Sequence, residues 1–174
     1  METTAKLILL RGNSGSGKST AARALQRRFG PGTLLVGQDT VRREMQRVKS
    51  GEDVRLLAEL VWHGRKNCSV TILEGILDAG RYRALFQAAQ QAFGAEIYAY
   101  YYDIPFQETL RRHQTKPNRA DFGPEEMRRW WKEQDYIGFI PERTLTAEVS
   151  LEEAVEQIWQ DVTDTARETG GGRA

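Results

Sequence analysis

Short continuous apolar runs alternate along the chain with segments whose apolar residues recur every three to four positions. Residues 6–10 (Lys-Leu-Ile-Leu-Leu) form a strand-like run, followed by a glycine-rich stretch and a helical pattern over 18–29 that stops at Gly30-Pro31-Gly32. A second buried strand is predicted at 33–37, ending in Gln38-Asp39-Thr40, with charged helical sequence over 41–49. After Gly51, Glu52 and Asp53 suit a helix start, and Leu56, Leu57, Leu60 and Val61 keep helical spacing to about His63. A third strand at 69–73 stops at Glu74-Gly75. The second half repeats the alternation: helix 80–93, strand 95–102 ending in Asp103, and a helix after Pro105 to about His113. Residues 114–123 lack apolar periodicity and contain Pro117, Asn118 and Gly123, which predicts an exposed loop before a helix opening at Pro124-Glu125-Glu126. A weak strand at 143–146 and an amphipathic helix at 151–163 follow, and 166–174 reads as a flexible tail. Buried strands separated by helices predict an α/β fold, a mainly parallel sheet of about five strands covered on both faces.

Composition narrows the classes. A length of 174 residues suits one domain, here 1–165, with a lid at about 111–123. With 40% hydrophobic and 28% charged residues, the chain can bury a core and keep a polar surface. Lysine plus arginine total 25 against 24 acids, a net charge of +1, so no global field draws the chain to nucleic acid or anionic lipid. The single cysteine, Cys68, excludes an internal disulfide, and two histidines give no zinc pattern. A cytoplasmic setting is expected, with no membrane partner, because the first apolar run is too short for a signal peptide or a span. Oligomeric state is open.

The stretch Gly12-Asn13-Ser14-Gly15-Ser16-Gly17-Lys18-Ser19 matches G-x-x-x-x-G-K-[ST] and lies between a strand and a helix, where the chemistry needs it. Glycines let successive N–H groups turn toward phosphate oxygens at a helix N-terminus. Lys18 would neutralise the outer phosphates, Ser19 would hold Mg²⁺, and Thr20 would support the first helical turn. Asp39, at the end of the second strand, is a candidate base for an acceptor hydroxyl; the alternative is an N-cap of the following helix. Glu74, ending the third strand, could orient substrate or bind Mg²⁺ through water, or serve only as a helix-start charge. Asp103 is expected to cap the next helix.

From Arg111 to Arg119 the chain carries four cations and no acid. Arg112 and Lys116, four apart, would share a helical face and grip the transferring phosphoryl group, and a basic loop closing there would exclude water. A solvated loop is the alternative. Arg42 and Arg43 suit an anionic acceptor or an exposed helix face. Trp130 and Trp131 suit ring stacking, or packing of one of them against the sheet. Tyr98, Tyr100 and Tyr102 alternate as sheet packing, Cys68 reads as a buried thiol, and His113 joins the basic loop.

Gly12 to Thr20, Gln38-Asp39 with Val41-Arg42-Arg43-Glu44-Met45, Leu73-Glu74-Gly75 and Arg112-x-x-x-Lys116-Pro117 together resemble small P-loop kinases of the broad nucleoside monophosphate kinase group. That group includes chloramphenicol phosphotransferase, zeta-toxin-type kinases, gluconate and shikimate kinases and the kinase domain of polynucleotide kinase. The run His113-Gln-Thr-Lys116, with Trp130-Trp131-Lys132-Glu133 and Asp135-Tyr136, is similar to bacterial uridine-type kinases. The resemblance implies a three-layer P-loop NTPase fold with strand order 2-3-1-4-5, ATP with Mg²⁺, a strand-end aspartate as base and an arginine-bearing lid. Asp39 matches that aspartate, and Arg112 with Lys116 matches the lid's R-x-x-x-R-P pattern with lysine at the second basic position. Lysine cannot make a bidentate fork, so Arg111 or Arg119 is expected to supply it. The adenine pocket would be shared between the lid and residues 146–150.

The expected function is transfer of the γ-phosphate of Mg-ATP to a hydroxyl of a small molecule: a nucleoside, a sugar or an antibiotic. A nucleic-acid 5′-hydroxyl kinase is the second class, opposed by the near-zero charge and the lack of a basic stripe outside the lid. A regulatory GTPase would need N-K-x-D, which is absent. A pure nucleotide-binding module would leave Asp39 without a task.

Overall fold

In the computed structural model, which describes residues 4–46, 51–117 and 119–164, five parallel strands are built where the apolar runs lie. They are β1 (Lys6–Gly12), β2 (Thr33–Gly37), β3 (Val70–Gly75), β4 (Ile97–Asp103) and β5 (Glu142–Thr146). The sheet order is β2-β3-β1-β4-β5, as the resemblance implied. Among the described residues six α-helices lie between the strands, α1 (Lys18–Phe29), α2 (Gln38–Glu44), α3 (Glu52–Asn67), α4 (Arg83–Phe93), α5 (Phe106–Gln114) and α6 (Pro124–Trp130), and α7 (Leu151–Thr163) follows the last. The predicted end of the second helix at Lys49, Asn118 of the basic segment and the 166–174 tail lie outside the described residues.

Alternation along β1 divides the core. Leu7 and Leu9 face α3 and α4, meeting Leu57, Val61, Leu85 and Phe86, while Ile8 and Leu10 face α1 and α7, meeting Ala22, Leu25, Ile158 and Val162. All twelve side chains are buried. Parallel strands require both faces covered, which is why these runs are apolar throughout and not alternating. Tyr98, Tyr100 and Tyr102 belong to the α1/α7 face, in line with their reading as packing.

Local signals set the helix ends. The Gly30 N–H closes α1 on the Gln26 carbonyl. Ser150 caps α7 by accepting the Glu153 N–H at 3.2 Å, and Glu153 returns a carboxylate to the Ser150 N–H at 2.8 Å. Helix α3 runs one turn beyond the predicted end at His63, with Lys66 exposed and Arg65 half-buried, its Nε donating to the Ala92 carbonyl at 2.9 Å. Strand β1 runs two residues beyond its prediction, through a fully buried Arg11 whose charge is answered by Asp135 at 3.0 Å and Glu142 at 2.8 Å. Parallel register brings Leu10 beside Glu74 and Gly12 beside Tyr102, so the carboxyl ends of β1, β3 and β4 share one edge.

Candidate functional site

The loop between β1 and α1 sits at that edge. Gly15 has φ +82°, and a Cβ there would stand 2.6 Å from the Thr109 carbonyl oxygen of α5, so both conformation and space demand glycine. Lys18 is buried, its Nζ donating to the Asn13 carbonyl at 2.7 Å and the Ser16 hydroxyl at 3.1 Å. Burial lowers its pKa to about 8; Glu74 and Asp39 pull it back up, while Lys116 and Arg11 push it further down. Ser19 Oγ donates to the two carboxylate oxygens of Glu74, 3.1 Å from each.

Backbone donors at the start of α1 with a buried ammonium make a cradle for an anion. The Ser19 hydroxyl and Glu74 carboxylate are hard oxygen ligands of the kind Mg²⁺ takes directly or through water. Among the described residues no group of three or more His, Cys, Asp or Glu side chains can hold a metal, so Mg²⁺ here would depend on phosphate oxygens for the rest of its shell. The donor set fits magnesium carried by a nucleotide.

Cavities open on both sides of the loop. One, of about 550 Å³, lies between Gly15–Gly17, Tyr102, the end of α5 with Lys116 and Pro117, and residues 147–151. On the other side two confluent cavities of about 340 and 630 Å³ share Gln38, Asp39, Arg42, Arg43, Ile76 and Trp130. The smaller of these reaches Lys18, Ser19 and Glu74. Lys116 borders the cavities on both sides. Burial lowers the Lys116 pKa, against the attraction of Glu74 and Asp39.

The predicted residues divide as follows. Asp39 borders the Lys18 cavity, its side chain 74% exposed and paired with Arg43 at 2.9 Å. It is not the N-cap of α2, because the helix begins at Gln38 with Gly37 before it and no side-chain cap. Glu74 is no helix-start charge either, since the next helix begins only at Arg83; it is buried against β1. Asp103 does not cap α5, whose N-terminal position is Pro105 without a side-chain cap.

The Arg112 and Lys116 pair is divided by the end of α5 at Gln114. Arg112 donates to the Ser16 carbonyl at 2.9 Å and to Glu108 at 2.8 Å, bracing the loop from the 550 Å³ side. Arg111 makes its fork with Glu108, at 2.7 and 2.8 Å, and Arg119 is exposed, its backbone N–H and its Nη1 donating to the Lys116 carbonyl at 3.2 and 3.5 Å. Arg111 borders the 550 Å³ cavity together with Lys116, and neither arginine lines the Lys18 cavity. Thr20 borders the 550 Å³ cavity from the first turn of α1.

Neither tryptophan packs into the sheet. Trp130 is 44% exposed and borders the Asp39 side, and Trp131 packs its ring edge on Phe106. His113 is buried, its Nε2 2.9 Å from the Phe122 carbonyl, and is no part of an exposed basic loop. Cys68 is half-buried at the end of α3.

Several contributors carry no local sequence signal. Asn13 uses its side chain on the Lys132 backbone, Nδ2 to the carbonyl at 2.6 Å and Oδ1 from the N–H at 2.9 Å, which ties the loop to the segment after α6. Gln38 is buried and links the Leu77 N–H at 3.1 Å to the Tyr82 hydroxyl at 2.7 Å. Arg81, Tyr82 and Lys132 complete the Asp39-side wall, with Asp53 buried behind the first two, so three distant parts of the chain meet there.

No curated protein sequence matches the chain. Among solved structures, a Deinococcus radiodurans tunicamycin resistance protein is similar at TM-score 0.62 and 17% identity, over 92% of this chain and 97% of that one. A Sinorhizobium meliloti gluconokinase has TM-score 0.62 and 12% identity, with 97% of each chain covered. A Mycobacterium tuberculosis APS kinase, solved with AMPPNP and APS, has TM-score 0.61 and 20% identity, over 90% of this chain and 96% of that one. At such identities the likeness is one of fold. The sequence itself carries the family: residues 7–134, most of the chain and all of the loop-centred site up to α6, match the AAA_33 model, an AAA domain, and the protein belongs to that family.

Proposed function

We propose that this protein is an ATP-dependent phosphotransferase that moves the γ-phosphate to a hydroxyl of a small molecule. The observation that carries this is the pair of cavities flanking the Gly12–Ser19 loop, bordered in common by Lys116, one against residues 147–151 and the other holding Asp39. Two substrates can meet there across one lysine-bearing loop. A structurally similar APS kinase was solved with a nucleotide analogue, and a second similar structure is a gluconokinase, which supports the same assignment.

Lys18 balances charge on the outer phosphates, and loop N–H groups orient them. Magnesium, when bound, neutralises charge on the phosphate oxygens, and Ser19 with Glu74 supplies its protein side. Asp39 accepts the acceptor's hydroxyl proton as that oxygen bonds to phosphorus and the bond to ADP breaks. Lys116 adds a point charge over the transferring group, and Arg112 holds the loop to α5. Among the described residues no helix is long and apolar enough to cross a membrane.

A screen of hydroxyl compounds for acceptor-dependent ADP release tests the assignment, with wild type and Asp39→Asn compared on the best acceptor. Loss of a general base should lower kcat by about 10²–10⁴-fold. Unchanged turnover in Asp39→Asn removes Asp39 from the mechanism, and absence of magnesium–ATP binding removes the activity.

A further inference from the structure

On the Asp39 side, the wall farthest from Lys18 is built around a buried carboxylate that phosphoryl transfer by itself does not require. Asp53 is fully buried, accepting the Tyr82 hydroxyl at 2.6 Å and Arg81 Nη2 at 3.1 and 3.3 Å. Arg42 Nε approaches the same carboxylate at 3.8 Å. Gln38 donates to the Tyr82 oxygen, which commits that hydroxyl's proton to Asp53. Burial raises the Asp53 pKa, but the Tyr82 hydrogen bond and Arg81 outweigh it and hold the carboxyl below its usual value.

Two guanidiniums therefore answer one buried anion, and both remain about half exposed at the cavity, 47% for Arg42 and 46% for Arg81. The other ions of this wall cancel in pairs, Arg43 with Asp39 and Lys132 with Asp78. The surplus positive charge is thus fixed in place at Arg42 and Arg81, with N–H groups to spare for a ligand. The exposed ring of Trp130 borders the same space, braced edge-on by Phe122, which stacks on the buried His113. An exposed indole face and a fixed arginine pair lining one cavity match a ligand that is both flat and anionic.

We infer that the acceptor is a ring-bearing small molecule with an anionic group, a phosphate or sulfate ester or a carboxylate, seated between Arg42 and Arg81 with its ring on Trp130 and its hydroxyl toward Asp39. This rests on the phosphotransfer function and narrows its substrate class. Asp53 is the positioning residue for the arginine pair.

The test is calorimetric titration of phenyl phosphate into protein saturated with magnesium–AMPPNP, so that the phosphate loop is filled, with phenol and inorganic phosphate as single-feature controls. Phenyl phosphate should bind more tightly than either control. Loss of one charge-assisted contact in Arg42→Gln or Arg81→Gln should weaken it about tenfold, Arg81→Lys should recover part of the loss, and Trp130→Ala should weaken phenyl phosphate and phenol alike. Arg42→Gln leaves Asp53 paired with Arg81 and Tyr82, so its loss is readable even if Arg81→Gln melts early. Phenyl phosphate binding the doubly substituted Arg42→Gln/Arg81→Gln protein as tightly as wild type, or no more tightly than phenol, overturns the assignment, as does no binding to the analogue-loaded protein. Failure of the analogue itself to bind is seen first, in the same instrument, and brings down the phosphotransfer function together with this inference.

Discussion

Lys18 pays for its position between β1 and α1 with a pKa held near 8, chiefly by burial. The unfolded chain, with an ordinary lysine, binds more protons between about pH 8 and 10.5, so this group makes the ligand-free protein gain stability as pH rises through that window. A bound polyphosphate reverses the balance by favouring the ammonium form. Below about pH 8 the charge is already present and binding takes up no proton; above it, binding must take one up. Magnesium–ATP affinity is therefore expected to fall as pH rises through 8. Calorimetry in two buffers of different ionisation enthalpy should give matching heats at about pH 6.5 and diverging heats at about pH 9. Buffer-independent heats at both would show that Lys18 does not meet the phosphates. Lys116, whose pKa burial also lowers, contributes with the same sign.

At the scale of elements, α3 crosses β3 so closely that a Cβ on Gly64 would lie 2.1 Å from Thr71 Oγ1. Thr71 is fully buried on the central part of the sheet and its hydroxyl cannot move aside into solvent. Gly64→Ala gains about 1 kcal/mol of helix propensity but overpacks this crossing, at about 1–3 kcal/mol. A net fall in the urea midpoint is expected, with relief in the double variant Gly64→Ala/Thr71→Ala; a rise in the single variant would mean that the helix can lift off without loss. The same crossing places Asp53, at the start of α3, behind Arg81 and Arg42, so the spacing of α3 from the sheet also sets the Asp39-side wall. Apolar periodicity in 52–63 marks the helix but carries no trace of how near it lies to the sheet.

Across the whole molecule, Arg11 joins segments that no short-range signal connects. Its guanidinium donates to Glu142 of β5, to Asp135 and twice to the Leu77 carbonyl, at 2.8–3.0 Å, and lies over the rings of Phe86 and Tyr101. Asp135 also accepts the Ala79 N–H at 2.8 Å, and Glu142 the Ile137 N–H at 2.7 Å. With the Asn13 clamp on Lys132, this network holds the segment after α6 against the loop and the ends of β1 and β3. Arg11→Ala would leave Glu142, 1% exposed, without its cation, a change costing about 3–5 kcal/mol. Urea unfolding measures that cost, and faster proteolysis within residues 131–141 should accompany it. A loss under about 1 kcal/mol would show that the segment is held by other contacts.

The alternation of elements, the span of α1 and α7, and the loop from Gly12 to Ser19 were legible in the chain because each depends on neighbours a few residues away: periodic burial, caps, and a strand-to-helix turn that only glycines can make. A charge was misleading wherever its partner was remote. Arg11 looks like the end of a strand and is buried within it, answered 124 and 131 residues later. Asp103 and Asp39 look like caps and are not, because α2 already begins at Gln38, ahead of Asp39, and α5 takes Pro105 as its N-terminal flank, two residues past Asp103. Arg112 and Lys116 share a helical spacing, yet the helix ends between them. Sequence alone settled the anion cradle and the parallel sheet, which are local chemistry repeated along the chain. Only the packed molecule decided which carboxylates meet Ser19 and the arginines, since an ion pair across a sheet edge follows from strand order and crossing distance, and neither is written in the spacing of residues.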